Sequence, residues 1–428
     1  MPAILVVSGA PGEVEGSWWQ ERIGDPGRPG RPVPPSGSPG LGEVMDVGFL
    51  KPLFERPGPW AGVYMDTSRT MEDAPRRRRL RERFVADQLT GQGADRATCD
   101  AVVERLAGEQ EARASAGRAL FAAHGEVVLD LPLATSPLDV VTSWSTLPRV
   151  APLASLRGEW PACLVAFVDQ AGADLELRDA TGTRPAGRAP GGRPHGRGHR
   201  SVPADRHEWH YRNRIGNTWE QTAERVADEL VRRWADSDAE LLILAGDPRG
   251  RRAVRDRLPE PLRDQAAETR HGSRAGGCSE LLDAEICHAR AEQARAHLES
   301  VLDLFRAGRG RPGGPGAGGH DDTAPPSSGA AEGVPAVVEV MRSHQAATLL
   351  LGHTGGDMRH EVWIGPGADQ VAVQRSQARA MGVRTPEPAR ADDALMRSAA
   401  VADTEVLLVP EGMPGPAGGL GAVLRWHA

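Results

Sequence analysis

The sequence predicts a mixed α/β (α+β) protein of three folded units, and three observations carry that expectation. Short apolar runs with strand character alternate with stretches of helical periodicity along most of the chain. Segments rich in Gly and Pro separate these blocks; 51 Gly and 35 Pro make up about a fifth of the 428 residues. That length suits two or three hydrophobic cores.

Residues 1–44 read as a disordered, dispensable extension with GDPGRPGRPVPPSGSPG at its centre, and Met45 would be the natural start. The first unit is expected at 46–150. WAGVYMDT (Trp60–Thr67) alternates like a strand, and Pro75 opens a helix whose apolar positions Leu80, Phe84, Val85 and Leu89 fall on one side. Arg76, Arg77, Arg78 and Arg79, with Arg81 and Arg83, lie opposite, as a solvated face or as an RNA contact. Helices over Arg96–Leu106 and Arg113–His124 and a strand over Glu126–Leu133 complete this unit.

The second unit, 157–306, opens with strands over Pro161–Gln170 and Ala173–Asp179. A helix is expected from Thr218, where Thr218 and Gln221 fit a capping box and Trp219, Ala223, Val226, Ala227, Leu230, Val231 and Trp234 recur at helical spacing. Glu240–Gly246 is short, apolar and bounded by Gly, as a buried central strand should be. A long helix from Ser279 to about Phe305, stopped by Gly308, closes the unit. A flexible linker over 307–333 leads to a third unit, 334–428, read as helix (Pro335–His344), two strands (Ala347–Gly352, Glu361–Ile364), helix (Asp392–Ala402), strand (Glu405–Val409) and a closing GGLGAVLRW.

Between the second unit's strands and its first helix lies Arg184–Arg214, with eight Arg and four His against Asp205 and Glu208, inside a chain whose net charge is −7. Its Gly and Pro content excludes one continuous helix and leaves no alternating apolar face for a strand, so a mobile cationic arm is expected. The abundance of Arg follows from composition; only its clustering is informative. Arg188, Gly191, Gly192, Arg193, His195, Arg197, His199, Arg200, Arg206, Trp209, Tyr211, Arg212 and Arg214 are the candidate RNA contacts, with Arg76–Arg79 as a second set. Guanidinium groups hold phosphates while aromatic rings stack on unpaired bases. Trp209 could equally anchor the end of the arm to its domain.

Several chemistries are excluded. No GxxxxGK[ST] or GxSxG motif occurs. Four cysteines without a CxxC pair imply neither a zinc ribbon nor a disulfide framework, which fits a reducing cytoplasm. His195 and His199 are four apart, and His207 and His210 three apart, but a Gly- and Pro-rich arm is a poor frame for zinc. Neither a metal nor a cofactor is expected, and no apolar run has the roughly 20 residues a membrane span needs.

The succession FLKPLFERPGPWAGVYMDTSR, then NRIGNTWEQTAERVADEL after a basic arm, then DDALMRSAA…TEVLLVP…GLGAVLRW resembles the bacterial branch of the archaeo-eukaryotic class-1 peptide-chain release factor superfamily. Actinobacterial members are the nearest in character, and the ribosome hibernation factor Balon belongs to the same branch. The resemblance implies an N-terminal domain facing the decoding centre, a central RNase H-like domain whose loop reaches the peptidyl-transferase centre, and an L7Ae-like C-terminal domain facing translational GTPases. It implies the ribosome, with its rRNA and tRNA, as partner, and a GTPase such as elongation factor Tu; neither a membrane nor DNA is expected. In the place of the release factors' Gly-Gly-Gln loop this chain has Gly191-Gly192-Arg193, and residues 46–150 hold no NIKS-like tetrapeptide. The expected role is therefore that of an A-site hibernation or stress factor without catalysis. The alternatives are a peptidyl-tRNA or aminoacyl-tRNA hydrolase using Gly191, Gly192 and His195, or an RNA-binding protein unconnected with ribosomes.

Overall fold

The structure, a computed structural model, describes residues 43–45, 47–67, 74–108, 116–157, 161–179, 182–191, 204–274, 279–309, 329–353 and 355–425. Among these residues the chain forms four sheets.

The first unit follows a short strand, β1 (Glu43–Met45), and a helical turn, α1 (Lys51–Phe54). β2 (Trp60–Asp66), α2 (Ala74–Gly91), α3 (Arg96–Ala107), β3 (Gly117–Ala123), β4 (Glu126–Leu133), β5 (Val141–Ser145) and α4 (Leu153–Leu156) come next. The sheet is antiparallel throughout, in the order β4-β3-β2-β5. Every residue of β3 is buried because both of its faces are covered. Ala61, Val63, Leu120 and Ala122 meet Val85, Leu89 and Val102 of α2 and α3. Trp60, Tyr64, Ala119 and Phe121 point the other way, into a core that continues in the third unit. This corrects the helix expected over Arg113–His124. Pairing with both neighbours and burial on both sides override the helix-forming Ala and Leu of GRALFAA. The apolar side of α2 is also narrower than its pattern suggests: Val85 and Leu89 are buried, whereas Leu80 and Phe84 are 58% and 46% exposed.

The second unit contains β6 (Cys163–Asp169), β7 (Gly172–Asp179), β8 (Gly182–Pro190), α5 (Ala204–Ala235), β9 (Leu241–Gly246), α6 (Pro248–Arg255), α7 (Glu260–Asp264), β10 (Ala266–Glu268) and α8 (Glu280–Arg309). Its sheet runs β10-β9-β6-β7-β8, with β6, β9 and β10 parallel and β7 antiparallel to its neighbours. In sequence order that is 3-2-1-4-5 with only the second strand reversed, the sheet of an RNase H-like domain. Two expectations need correction. Thr218 lies inside the 32-residue α5, so no helix starts or is capped there. The region expected to lack regular structure contributes β8, an edge strand, and the first turns of α5. Pairing with β7 supplies the order that a side-chain pattern does not, and an edge position tolerates Pro185 and Pro190.

The third unit holds β11 (Ala330–Glu332), α9 (Val334–Arg342), β12 (Ala346–Gly352), β13 (Glu361–Ile364), β14 (Val371–Ala372), α10 (Arg375–Ala380), β15 (Glu387–Arg390), α11 (Ala391–Ala402), β16 (Glu405–Val409) and β17 (Leu420–Leu424). Its main sheet is β1-β16-β12-β17-β11, beside a smaller β14-β13-β15 sheet. Alternation along the strands sends Leu349, Leu351 and Val406 into the core shared with α9, α11 and the first unit. Leu350, Leu407, Val409 and Val423 pack on α8 from the opposite face. Two boundaries shift as a result. Glu43 and Val44 belong to this sheet rather than to a free extension. β11 lies inside the expected linker, and α8 runs on through Gly308 to Arg309. Gly308 does not stop the helix; a Cβ there would stand 2.7 Å from the backbone nitrogen of Ala330, so the glycine permits β11 to approach.

α8 thus spans two units. Leu282 and Ile286 pack on β6 and β9, while Leu298, Val301, Leu302 and Phe305 pack on the third sheet. At the joint, His297 Nε2 lies 2.7 Å from Glu405 Oε1, and Glu405 Oε2 accepts a 2.8 Å hydrogen bond from Thr348 Oγ1. The bond to Glu405 raises the His297 pKa above 6.5, and burial raises that of the adjacent Glu240. The His297 contribution is full below its ordinary pKa and is lost as pH rises through the raised value. With 40% of the side chain exposed, solvent screening keeps it below about 1 kcal/mol. Urea titrations at about pH 6 and about pH 9 should show His297→Gln flattening that part of the pH dependence; an unchanged pH profile would count against the pair.

Candidate nucleic-acid interface

The arm leaves the second unit at the carboxyl ends of β6 and β9, and the register shows why. Gly172 pairs with Pro190, Ala173 with Ala189 and Asp174 with Arg188, so β8 ends beside the β6–β7 turn. Gly172 has φ 129°, a conformation suited to glycine, and a Cβ there would strike the Ala189 carbonyl oxygen. Gly191 N donates a 2.7 Å hydrogen bond to Ala171 O, and a Cβ on Gly191 would stand 2.6 Å from the Ala171 carbonyl carbon. Gly191, a candidate contact in the sequence, therefore also has a structural role, since it lets two backbones close at the root of the arm.

The other side of the arm is α5. Its 32 residues are about 48 Å long, against roughly 20–30 Å for the strands. Among the residues of α5 whose burial is described, Thr222, Ala223, Val226, Ala227, Glu229 and Leu230 are buried, and the helix ends where the chain turns into β9. Because α5 ends beside the start of β9, its first turns lie toward the edge from which β8 departs. The backbone places Arg206, Trp209, Tyr211, Arg212 and Arg214 on these first turns, with His207 and His210. Gly192, Arg193, His195, Arg197, His199 and Arg200 lie outside the described residues.

Ion pairs surround the root. Arg188 Nε is 2.8 Å from Asp174 Oδ1 with its side chain 79% exposed, and Arg184 pairs with Asp179 at 3.3 Å. Arg274, which follows β10, donates through Nε to Asp174 Oδ2 at 2.9 Å and through Nη1 to Asp169 Oδ1 at 3.0 Å. The bond from Arg274 is the main cause of the lowered Asp174 pKa. Sequence reasoning missed Arg274, Asp174 and Asp169. Cross-strand pairing could have suggested Asp174 with Arg188, but nothing local links Arg274 to strands about a hundred residues earlier. The second candidate set is on α2, where Arg76, Arg77 and Arg78 are placed by the backbone and Arg79 is exposed beside Leu80. Among the described residues, no three His, Cys, Asp or Glu side chains gather in a metal-binding group, and no helix is long and apolar enough to cross a membrane.

The edge strand β8 and the helix α5 of an RNase H-like unit thus bracket the basic segment, within a three-unit α/β chain. Residues 162–311 match the model of bacterial archaeo-eukaryotic release factor family 2, which covers this unit from β6 to the end of α8. The central unit is thus similar to that of the bacterial archaeo-eukaryotic release factors, in line with the resemblance read from this part of the sequence. An uncharacterized protein of Mycobacterium tuberculosis (strain ATCC 25618 / H37Rv) is 28% identical over 385 residues, covering 89% of this chain and 96% of the relative. Solved structures with similarity include the archaeal translation termination factor (14% identity, 88% of this chain and 96% of that one, TM-score 0.22). Archaeoglobus fulgidus Pelota (11%, 90% and 94%, TM-score 0.32) and a model of ribosome-bound archaeal Pelota with ABCE1 (13%, 90% and 99%, TM-score 0.35) are others, at scores on which nothing further rests.

Proposed function

We propose that the protein is a ribosome-binding translation factor that occupies the A site as a hibernation or stress factor and performs no hydrolysis. The observation that carries this reading is the arm: it sits on a unit of release-factor family and presents Gly191-Gly192-Arg193 where release factors carry Gly-Gly-Gln. Ester hydrolysis needs a positioned water and a donor aimed at the developing oxyanion. Arginine is always charged and cannot act as a base, although it binds phosphate well. The arm and α2 serve as RNA contacts in this reading, and a translational GTPase such as elongation factor Tu meets the third unit.

The hydrolase reading is supported by one feature, His195 two residues beyond Arg193, which offers a base if the ribosome orders it. Purified protein added to ribosomes carrying P-site peptidyl-tRNA should co-sediment, protect the A site and release no peptide above background. Multiple-turnover release that disappears in His195→Ala would make the protein a peptidyl-tRNA hydrolase instead. Binding to free RNA but not to ribosomes would favour the non-ribosomal alternative.

A further inference from the structure

We propose that Arg274 is a positioning residue for the arm: a guanidinium clip that holds the β6–β7 turn and β8 together and so fixes the direction in which the arm leaves. The proposal rests on the RNA-binding reading of the arm for its purpose, but its geometry stands independently. Arg274 reaches Asp174 through Nε at 2.9 Å and Nη2 at 3.3 Å, and Asp169 through Nη1 at 3.0 Å. Asp174 Oδ1 also takes Arg188 Nε of β8 at 2.8 Å. Asp169 Oδ1 accepts a 2.7 Å hydrogen bond from Ala171 N, and Ala171 O accepts the Gly191 amide. One guanidinium thereby engages the end of β6 and the start of β7, and through them Arg188 of β8 and Gly191 just beyond its end.

Planarity matters. A fork of donors can satisfy two carboxylates at fixed angles, whereas a lysine ammonium offers charge without that geometry. With two carboxylates already against it, Arg274 has no charge to spare for a phosphate. Its loss should loosen the arm's exit without removing an RNA contact. Asp169 and Asp174 are 41% and 28% exposed, so water can solvate them when the clip is gone and the fold should survive.

The test compares wild type with Arg274→Gln and Arg274→Lys in the full-length chain. Hydrogen exchange at the Gly191 amide should speed up about tenfold in Arg274→Gln and less in Arg274→Lys, while Leu241–Ala245 of β9 stays protected. Binding to single-stranded oligo(U) RNA should weaken in Arg274→Gln with the slope of log K against log salt unchanged. Unchanged exchange at Gly191 overturns the clip, and so does an equal loss of protection throughout the unit. A slope flatter by roughly 0.7–0.9 also overturns it, because Arg274 would then be a phosphate contact. If the wild-type protein fails to bind RNA, the RNA reading of the arm falls, while the Gly191 exchange still decides the clip.

Discussion

Replacing Asp393 by Ala should destabilise the first and third units together, by about 3 kcal/mol. Asp393 sits in the first turn of α11, 3% exposed, and its Oδ1 accepts hydrogen bonds from Val150 N at 2.9 Å and Ala151 N at 3.1 Å. Those two amides belong to the end of the first unit. Truncation leaves both without an acceptor, at roughly 1–3 kcal/mol for each buried group. The surrounding core is continuous across the boundary, from Trp60, Tyr64 and Phe121 to Val337, Leu349 and Leu395, so the damage cannot remain on one side. Burial, and then the neighbouring Asp392, raise the Asp393 pKa to about 7. Asp393→Asn, which resembles the neutral acid and keeps an acceptor oxygen, should therefore cost far less. Hydrogen exchange of Trp60–Asp66 and Ala346–Gly352 is the measurement. If Asp393→Ala deprotects only the third-unit strand, the two units do not share a cooperative core.

The second large effect concerns binding. Replacing Arg193, Arg197 and Arg200 together by Ala should weaken ribosome or RNA binding on the order of a hundredfold at low salt. If about six phosphates are contacted, the wild-type slope of log K against log salt should be near −4, and the triple variant should flatten it by roughly 2. In the sequence these residues follow Gly191, which closes on Ala171 at the carboxyl edge of the sheet. An unchanged slope would move the phosphate contacts elsewhere, with Arg76–Arg79 of α2 as the first alternative.

Much of the arm is legible in the sequence because charge clustering needs no tertiary structure to be seen. The sequence marks Gly191 as a candidate RNA contact, and the structure adds a close backbone approach to Ala171. Arg274 is invisible there, since its partners precede it by 100 and 105 residues. Leu80 and Phe84 share a helical face with Val85 and Leu89, but periodicity does not say how wide a stripe the sheet will cover.

The sequence by itself determined the α/β class, the clustering of Arg and His over 184–214, the release-factor resemblance and most strands and helices whose apolar runs are strong, such as β6, β9 and β12. These follow from local periodicity, turn residues and charge, all of which are properties of neighbouring residues. Only the tertiary structure decided that GRALFAA is a strand, that β1 joins the third unit's sheet, that α8 continues through Gly308, and that one core serves two units. In each case the deciding partner is far away in the chain. Burial on a second face and hydrogen bonds to a distant strand outweigh local propensities of a few tenths of a kcal/mol per residue, roughly the scale on which most helix formers differ.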